Sequence, residues 1–268
     1  MIRRFRVHSG DADVACAQFG AGRERLLYLH ALAYSKEHAV AAADVLGVAF
    51  DCIAIDQRGH GETRARDGGP LDLDLDAFVA DACAVLDAAG WESAIVGGTS
   101  MGAAVALRLA LLHPQRVRVL VEDLPAFGPR SPRDVSHAER IAEALEAGDL
   151  VEATRRATES LSGKRAAALQ EELLGQWRPF SASQLGPGLA GAFRATTRWS
   201  VLDDWPEGLS RVRAFTHLIA LRGDPSHPYE VAETMARHLA RAQIYSRIPA
   251  LDPRKSFAQW VSILTRHS

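Results

Sequence analysis

Gly98-Thr99-Ser100-Met101-Gly102 lies between an apolar run, Ala94-Ile95-Val96-Gly97, and an Ala/Leu-rich segment, Ala103 to His113, whose apolar residues recur at helical spacing. The order expected from this pattern is strand, sharp turn, helix. Small residues on either side of the serine let the backbone turn tightly and leave the hydroxyl standing above a sheet edge. Ser100 also opens the expected helix, where free N–H groups and the positive end of the helix dipole stabilise negative charge developing on a nearby oxygen.

The 268-residue chain has room for one sizeable core with an inserted subdomain. A formal charge of −2 and a pI near 6.6 give no electrostatic basis for binding nucleic acid or an anionic membrane. Small-molecule partners and a homodimer remain open. Cys16, Cys52 and Cys83 sit in separate apolar segments without metal-type spacing, so buried free thiols in a reducing cytoplasm are expected and no metal or other cofactor is called for. The basic start, Met1 to Arg6, has no apolar stretch behind it, and no run approaches the length of a membrane span.

Strands and helices alternate along most of the chain. Ile2 to Val7 and Ala12 to Ala17 read as an antiparallel pair, followed by strands at Arg25 to Leu29 and Phe50 to Ile55, the strand before Ser100, and Arg116 to Val121. Helices are expected over Lys36 to Leu46 and Leu73 to Ala89. From Pro125 to about Pro206 the alternation stops. Helical patterns at 135–147, 150–161 and 164–177 precede a turn signal, Gly186-Pro187-Gly188. Strands at Ala214 to Leu221 and Gln243 to Ile248 then return, with helices at Tyr229 to Leu239 and Pro253 to Arg266.

The G-x-S-x-G turn in this context resembles the nucleophile elbow of the α/β-hydrolase fold, and the resemblance runs over nearly the whole chain. It implies a mostly parallel, doubly wound α/β sheet: core at 1–124, helical cap at 125–206 after the sixth strand, and core again at 207–268. Ser100 would be the nucleophile, and the N–H groups of Met101 and Leu32 the oxyanion hole, with Ala31 where the family usually has glycine. The segment Asp56-Gln57-Arg58-Gly59-His60-Gly61 is similar to a structural loop of the family, so Asp56 and Arg58 are expected to pair there and His60 to stay outside the site. Asp224 after the next-to-last strand is the candidate acid, and Asp123 the alternative. His30, Thr99, Trp177 and Trp199 are candidate substrate contacts, though few of the aromatics among Trp177, Phe180, Phe193, Trp199 and Trp205 are expected to touch a ligand.

The family places its histidine after the last strand, where this chain reads Pro249-Ala250-Leu251-Asp252-Pro253-Arg254-Lys255-Ser256. His267 is a helix length too far along. A serine hydroxyl near neutral pH needs a base within hydrogen-bond reach. Asp224-Pro225-Ser226-His227 suits a type I turn, which brings residues 224 and 227 within about 7 Å and makes His227 a candidate base oriented by Asp224. Lys255 is a second candidate base, and a third reading has His30 contact the substrate, polarising or binding it rather than taking the serine proton. A fourth reading keeps the pocket but drops acyl transfer, as in a lyase, a cyclase or a small-molecule binding protein. The leading expectation is a serine-dependent hydrolase of a small apolar ester, lactone or thioester.

Overall fold

The computed structural model describes residues 1–126, 134–161, 163–180, 182–248 and 252–266. Among the described residues nine strands form one sheet: β1 (Ile2–Ser9), β2 (Ala12–Phe19), β3 (Glu24–Leu29), β4 (Phe50–Ile55), β5 (Arg64–Ala65), β6 (Ala94–Thr99), β7 (Val117–Asp123), β8 (Phe215–Ala220) and β9 (Ala242–Ser246), in the order β1-β2-β4-β3-β6-β7-β8-β9 with β5 beside β2 off this path. From β4 through β9 every pairing is parallel, whereas β2 runs antiparallel to β1, β4 and the short β5. The two-residue β5 had no signature in the sequence, and with it counted the strand before the helical insertion is the seventh.

Residues buried on both faces explain the parallel strands, because such strands must be covered twice. One face, with Leu27, Leu29, Val96 and Leu120, packs on α3 (Leu75–Ala88), α4 (Met101–Leu112) and Met235 of α9 (Tyr229–His238). The other, with Leu26, Tyr28, Ile95 and Val121, packs on α10 (Pro253–Thr265) and the segment before β4. That segment breaks into two single turns, α1 (Glu37–Val40) and α2 (Ala43–Leu46), where one helix was expected.

The loop after β4 departs from expectation in its charge pairing. Asp56 and Arg58 do not pair. Asp56 accepts hydrogen bonds from Lys36 Nζ (2.7 Å) and from the Lys36 and Glu62 backbone N–H groups. Arg58 instead forks onto Asp81 of α3, at 2.8 and 2.9 Å, and also donates to Asp11 and the Ser9 and Asp72 carbonyls. Two positions apart in a tight loop, the side chains diverge towards different elements.

Between β7 and β8 lie α5 (Val135–Glu146), α6 (Leu150–Ala157), α7 (Gly163–Trp177) and α8 (Ala182–Thr196). The turn expected at Gly186-Pro187-Gly188 is helical instead, with Pro187 inside α8. Those glycines serve close packing. A Cβ on Gly186 would lie 2.7 Å from the Leu145 carbonyl oxygen, and one on Gly59 would lie 2.5 Å from that of Gly188. The insertion is pinned to the core at the loop after β3. Trp177 Nε1 donates to Ala33 O (2.8 Å), Ser35 Oγ to Gln176 Oε1 (2.9 Å), and Glu172 faces Tyr34 and His38.

Removing Arg58 would strand the buried Asp81 carboxylate, so Arg58→Ala is expected to lose about 3–5 kcal/mol of stability in urea unfolding. Burial lifts the Glu172 carboxyl from 4.5 to about 7. Its charged form is therefore disfavoured in the fold, and native stability falls as pH rises through that window. Glu172→Gln is expected to raise the melting temperature above wild type at about pH 8 and to leave it unchanged near about pH 4.

Candidate active site

The turn from β6 into α4 is built on close backbone contact. A Cβ on Gly98 would lie 2.0 Å from the Gly102 carbonyl oxygen, and one on Gly102 would lie 2.1 Å from that of Leu29. With no side chains there, α4 sits directly on β6 and β3, helped by the buried alanines 103, 104, 106 and 110. The chain reverses within one residue. Ser100 takes φ 53° and ψ −106°, a conformation L-residues avoid, and its N–H donates to Asp123 O (2.9 Å) while its carbonyl accepts from Ala104.

The loop from β8 to α9 returns over this turn. His227 Nε2 lies 2.9 Å from Ser100 Oγ. On the ring's other side, His227 Nδ1 is 3.3 Å from Asp224 Oδ2. That separation is an ion-pair contact, but its alignment falls short of a hydrogen bond and leaves Nδ1 without an aligned acceptor among the described residues. Asp224 Oδ1 accepts the Ser226 N–H (2.9 Å), an Asx-type contact by which the acid caps its own loop, and among the described residues no backbone bond closes a type I turn over residues 224–227. Burial raises the Asp224 carboxyl, but the close contact with the His227 imidazole, the Ser226 N–H and the Arg165 cation outweigh it and hold the group below its ordinary value. A carboxylate beside Nδ1 favours the tautomer protonated there, so Nε2 can accept the serine proton.

The two N–H groups expected to form an oxyanion hole belong to Met101 and Leu32. That of Met101 opens α4 and precedes any intrahelical bond. That of Leu32 meets no acceptor among the described residues. Its loop is held from both sides. His60 Nε2 accepts the Ala33 N–H (3.1 Å), Trp177 caps Ala33 O, and Ala33 takes φ 74°. Nothing in the sequence marked His60 as the pin of this loop.

Several candidate contacts are committed elsewhere. His30 is fully buried, accepts the Gln57 N–H at Nε2 (2.9 Å) and faces Ala31 O through Nδ1 (2.8 Å), so it has no ring nitrogen left for a substrate or for Ser100. Burial and the neighbouring His60 hold it well below an ordinary imidazole. Trp177 and Trp199 are buried pegs: Trp177 binds Ala33 O, and Trp199 donates to Leu73 O (3.1 Å) with its ring edge-on to Phe78. Thr99 is half-buried, its hydroxyl 3.4 Å from that of Tyr28.

The other acid and base candidates make no side-chain hydrogen bond to Ser100 among the described residues. Asp123 takes Arg247 Nε on one oxygen (2.8 Å) and Trp260 Nε1 on the other (3.3 Å). An arginine at the carboxyl end of β9 was the one hint of this pairing. Lys255 is exposed on α10, lining a surface cavity of about 680 Å³ with Gln243, Tyr245 and Arg266, away from Ser100. Residues 249–251 and His267 lie outside the described residues. No described helix is long and apolar enough to cross a membrane.

A model of the alpha/beta hydrolase fold family matches residues 24–205. Epoxide hydrolase B of Mycobacterium tuberculosis H37Rv is 37% identical over 114 residues, 38% of this chain and 31% of that protein. The chain spans between 27% and 41% of the length of the curated relatives it matches. Among solved structures, a thermophilic esterase from Thermogutta terrifontis superposes with a TM-score of 0.75 at 21% identity, covering 99% of this chain and 97% of its own. The enol-lactonase of Burkholderia xenovorans LB400 superposes with a TM-score of 0.77 at 13% identity, covering 98% and 97%. With the family model covering most of the chain, and a parallel sheet, a strained serine turn and helices on both faces in agreement, the protein belongs to the alpha/beta hydrolase fold family.

Proposed function

We propose that the protein is a serine hydrolase of small apolar esters, lactones or thioesters, working through an acyl-enzyme. The observation that carries this reading is the 2.9 Å contact between Ser100 Oγ and His227 Nε2 at a serine held in a strained turn. It supports His227 as the base, in place of the histidine whose absence from the loop after the last strand favoured a non-hydrolytic role.

In this mechanism His227 takes the Ser100 proton as Oγ attacks the substrate carbonyl, and the N–H groups of Met101 and Leu32 hold the resulting oxyanion. Asp224 orients the imidazole and balances its positive charge. His227 then returns the proton to the leaving alcohol or thiol, and water, activated by the same imidazole, releases the acid. The ester and lactone class draws support from the esterase and lactonase among the structural neighbours.

The test is turnover of short-chain p-nitrophenyl esters together with fluorophosphonate labelling. Ser100→Ala is expected to abolish labelling, and both Ser100→Ala and His227→Ala to cut kcat by about 10³-fold or more; Lys255→Ala is expected to match wild type. Activity is expected to fall as pH drops on the acid side, since a protonated imidazole accepts no proton. Persistent turnover in Ser100→Ala would overturn the reading.

A further inference from the structure

Helix α7 bridges the loop after β3 and the loop after β8. Its 15 residues extend about 22 Å, more than the roughly 14 Å separating β3 from β8 across β6 and β7. Its carboxyl end is pinned above β3 through Trp177, Gln176 and Glu172. Its amino end reaches the loop after β8, where Arg165 Nη2 lies 3.5 Å from Asp224 Oδ2. That is the same carboxylate oxygen that faces His227 Nδ1.

We propose that Arg165 is a positioning residue for the base, sharing Asp224 Oδ2 with His227 so that the docking of α7 sets how strongly the acid engages the imidazole. The proposal rests on the serine-hydrolase reading above. Two groups compete for one oxygen, and the geometry bears the mark of it: His227 Nδ1 is buried without an aligned acceptor although the acid is 3.3 Å away. The other Asp224 oxygen is taken by Ser226, and Arg222, the remaining cation of the loop, stacks on Tyr229 (3.9 Å) and faces Glu233. Among the described residues, the charged groups on Asp224 are therefore Arg165 from α7 and His227 from its own turn.

A docked guanidinium opposes positive charge on the imidazole and draws the carboxylate towards the insertion. Arg165 is half-exposed, so the effect is modest and sensitive to salt.

The experiment compares full-length wild type, Arg165→Gln and Arg165→Lys in p-nitrophenyl acetate kinetics and fluorophosphonate labelling against pH at low ionic strength. Arg165→Gln is expected to move the midpoint of the acid limb up by about half a pH unit, through kcat rather than KM, with Arg165→Lys returning it to wild type and high salt erasing the difference. Hydrogen exchange over residues 163–170 is expected to rise equally in Arg165→Gln and Asp224→Asn, with no further rise in the double variant. An unmoved acid limb in Arg165→Gln, or additive exchange, overturns the proposal while normal wild-type labelling leaves the hydrolase reading standing. Wild-type protein that neither labels nor turns over esters removes both.

Discussion

The structure depends on the absence of side chains at Gly98 and Gly102. Either Cβ would stand about 2 Å from a backbone carbonyl oxygen, inside any permissible contact, so α4 lies on β6 and β3 only because both positions are glycine. That approach forces the chain to reverse at Ser100, in a conformation that costs of order 1–3 kcal/mol for a residue with a Cβ. The strain is offset by the surroundings. The Ser100 N–H is taken by Asp123 O, and four buried alanines let α4 settle on the sheet without a gap.

Everything near the serine is arranged by loops that the parallel sheet delivers to one edge. The loop after β3 is locked by two neutral histidines. His30 accepts from Gln57 and His60 accepts from Ala33, and burial holds both below an ordinary imidazole, His60 at about 4, so they remain hydrogen-bond acceptors across the neutral range. The loop after β8 carries an acid and an imidazole on one turn. Asp123, at the end of the neighbouring strand, is paired with Arg247 and bonded by Trp260 and so serves the packing of β7, β9 and α10.

Particular residues show where sequence reasoning reached and where it stopped. The parallel core was legible because apolar strands alternate with amphipathic helices, each pattern a local property of a few residues. Partner choice was not. Asp56 and Arg58 looked like a pair by proximity in the chain, but Lys36 and Asp81 come closer in space. His30, Trp177 and Trp199 looked like ligand contacts because they are polar or aromatic near the site, yet each spends its polar atoms on a backbone group of the core. Gly186 and Gly188 looked like a turn and proved to be flat spots on a helix, which only the helix's neighbours could disclose.

The sequence by itself determined the fold class, the strand-turn-helix at Ser100 and the turn bringing residue 227 back towards residue 224, because these follow from short-range periodicity, glycine placement and turn chemistry. Tertiary structure alone decided that His227 lies against Ser100, 127 positions away in the chain, and that an arginine of α7 reaches the same carboxylate. Those contacts are set by how β6, β8 and α7 pack across the sheet edge, and packing depends on all the elements at once.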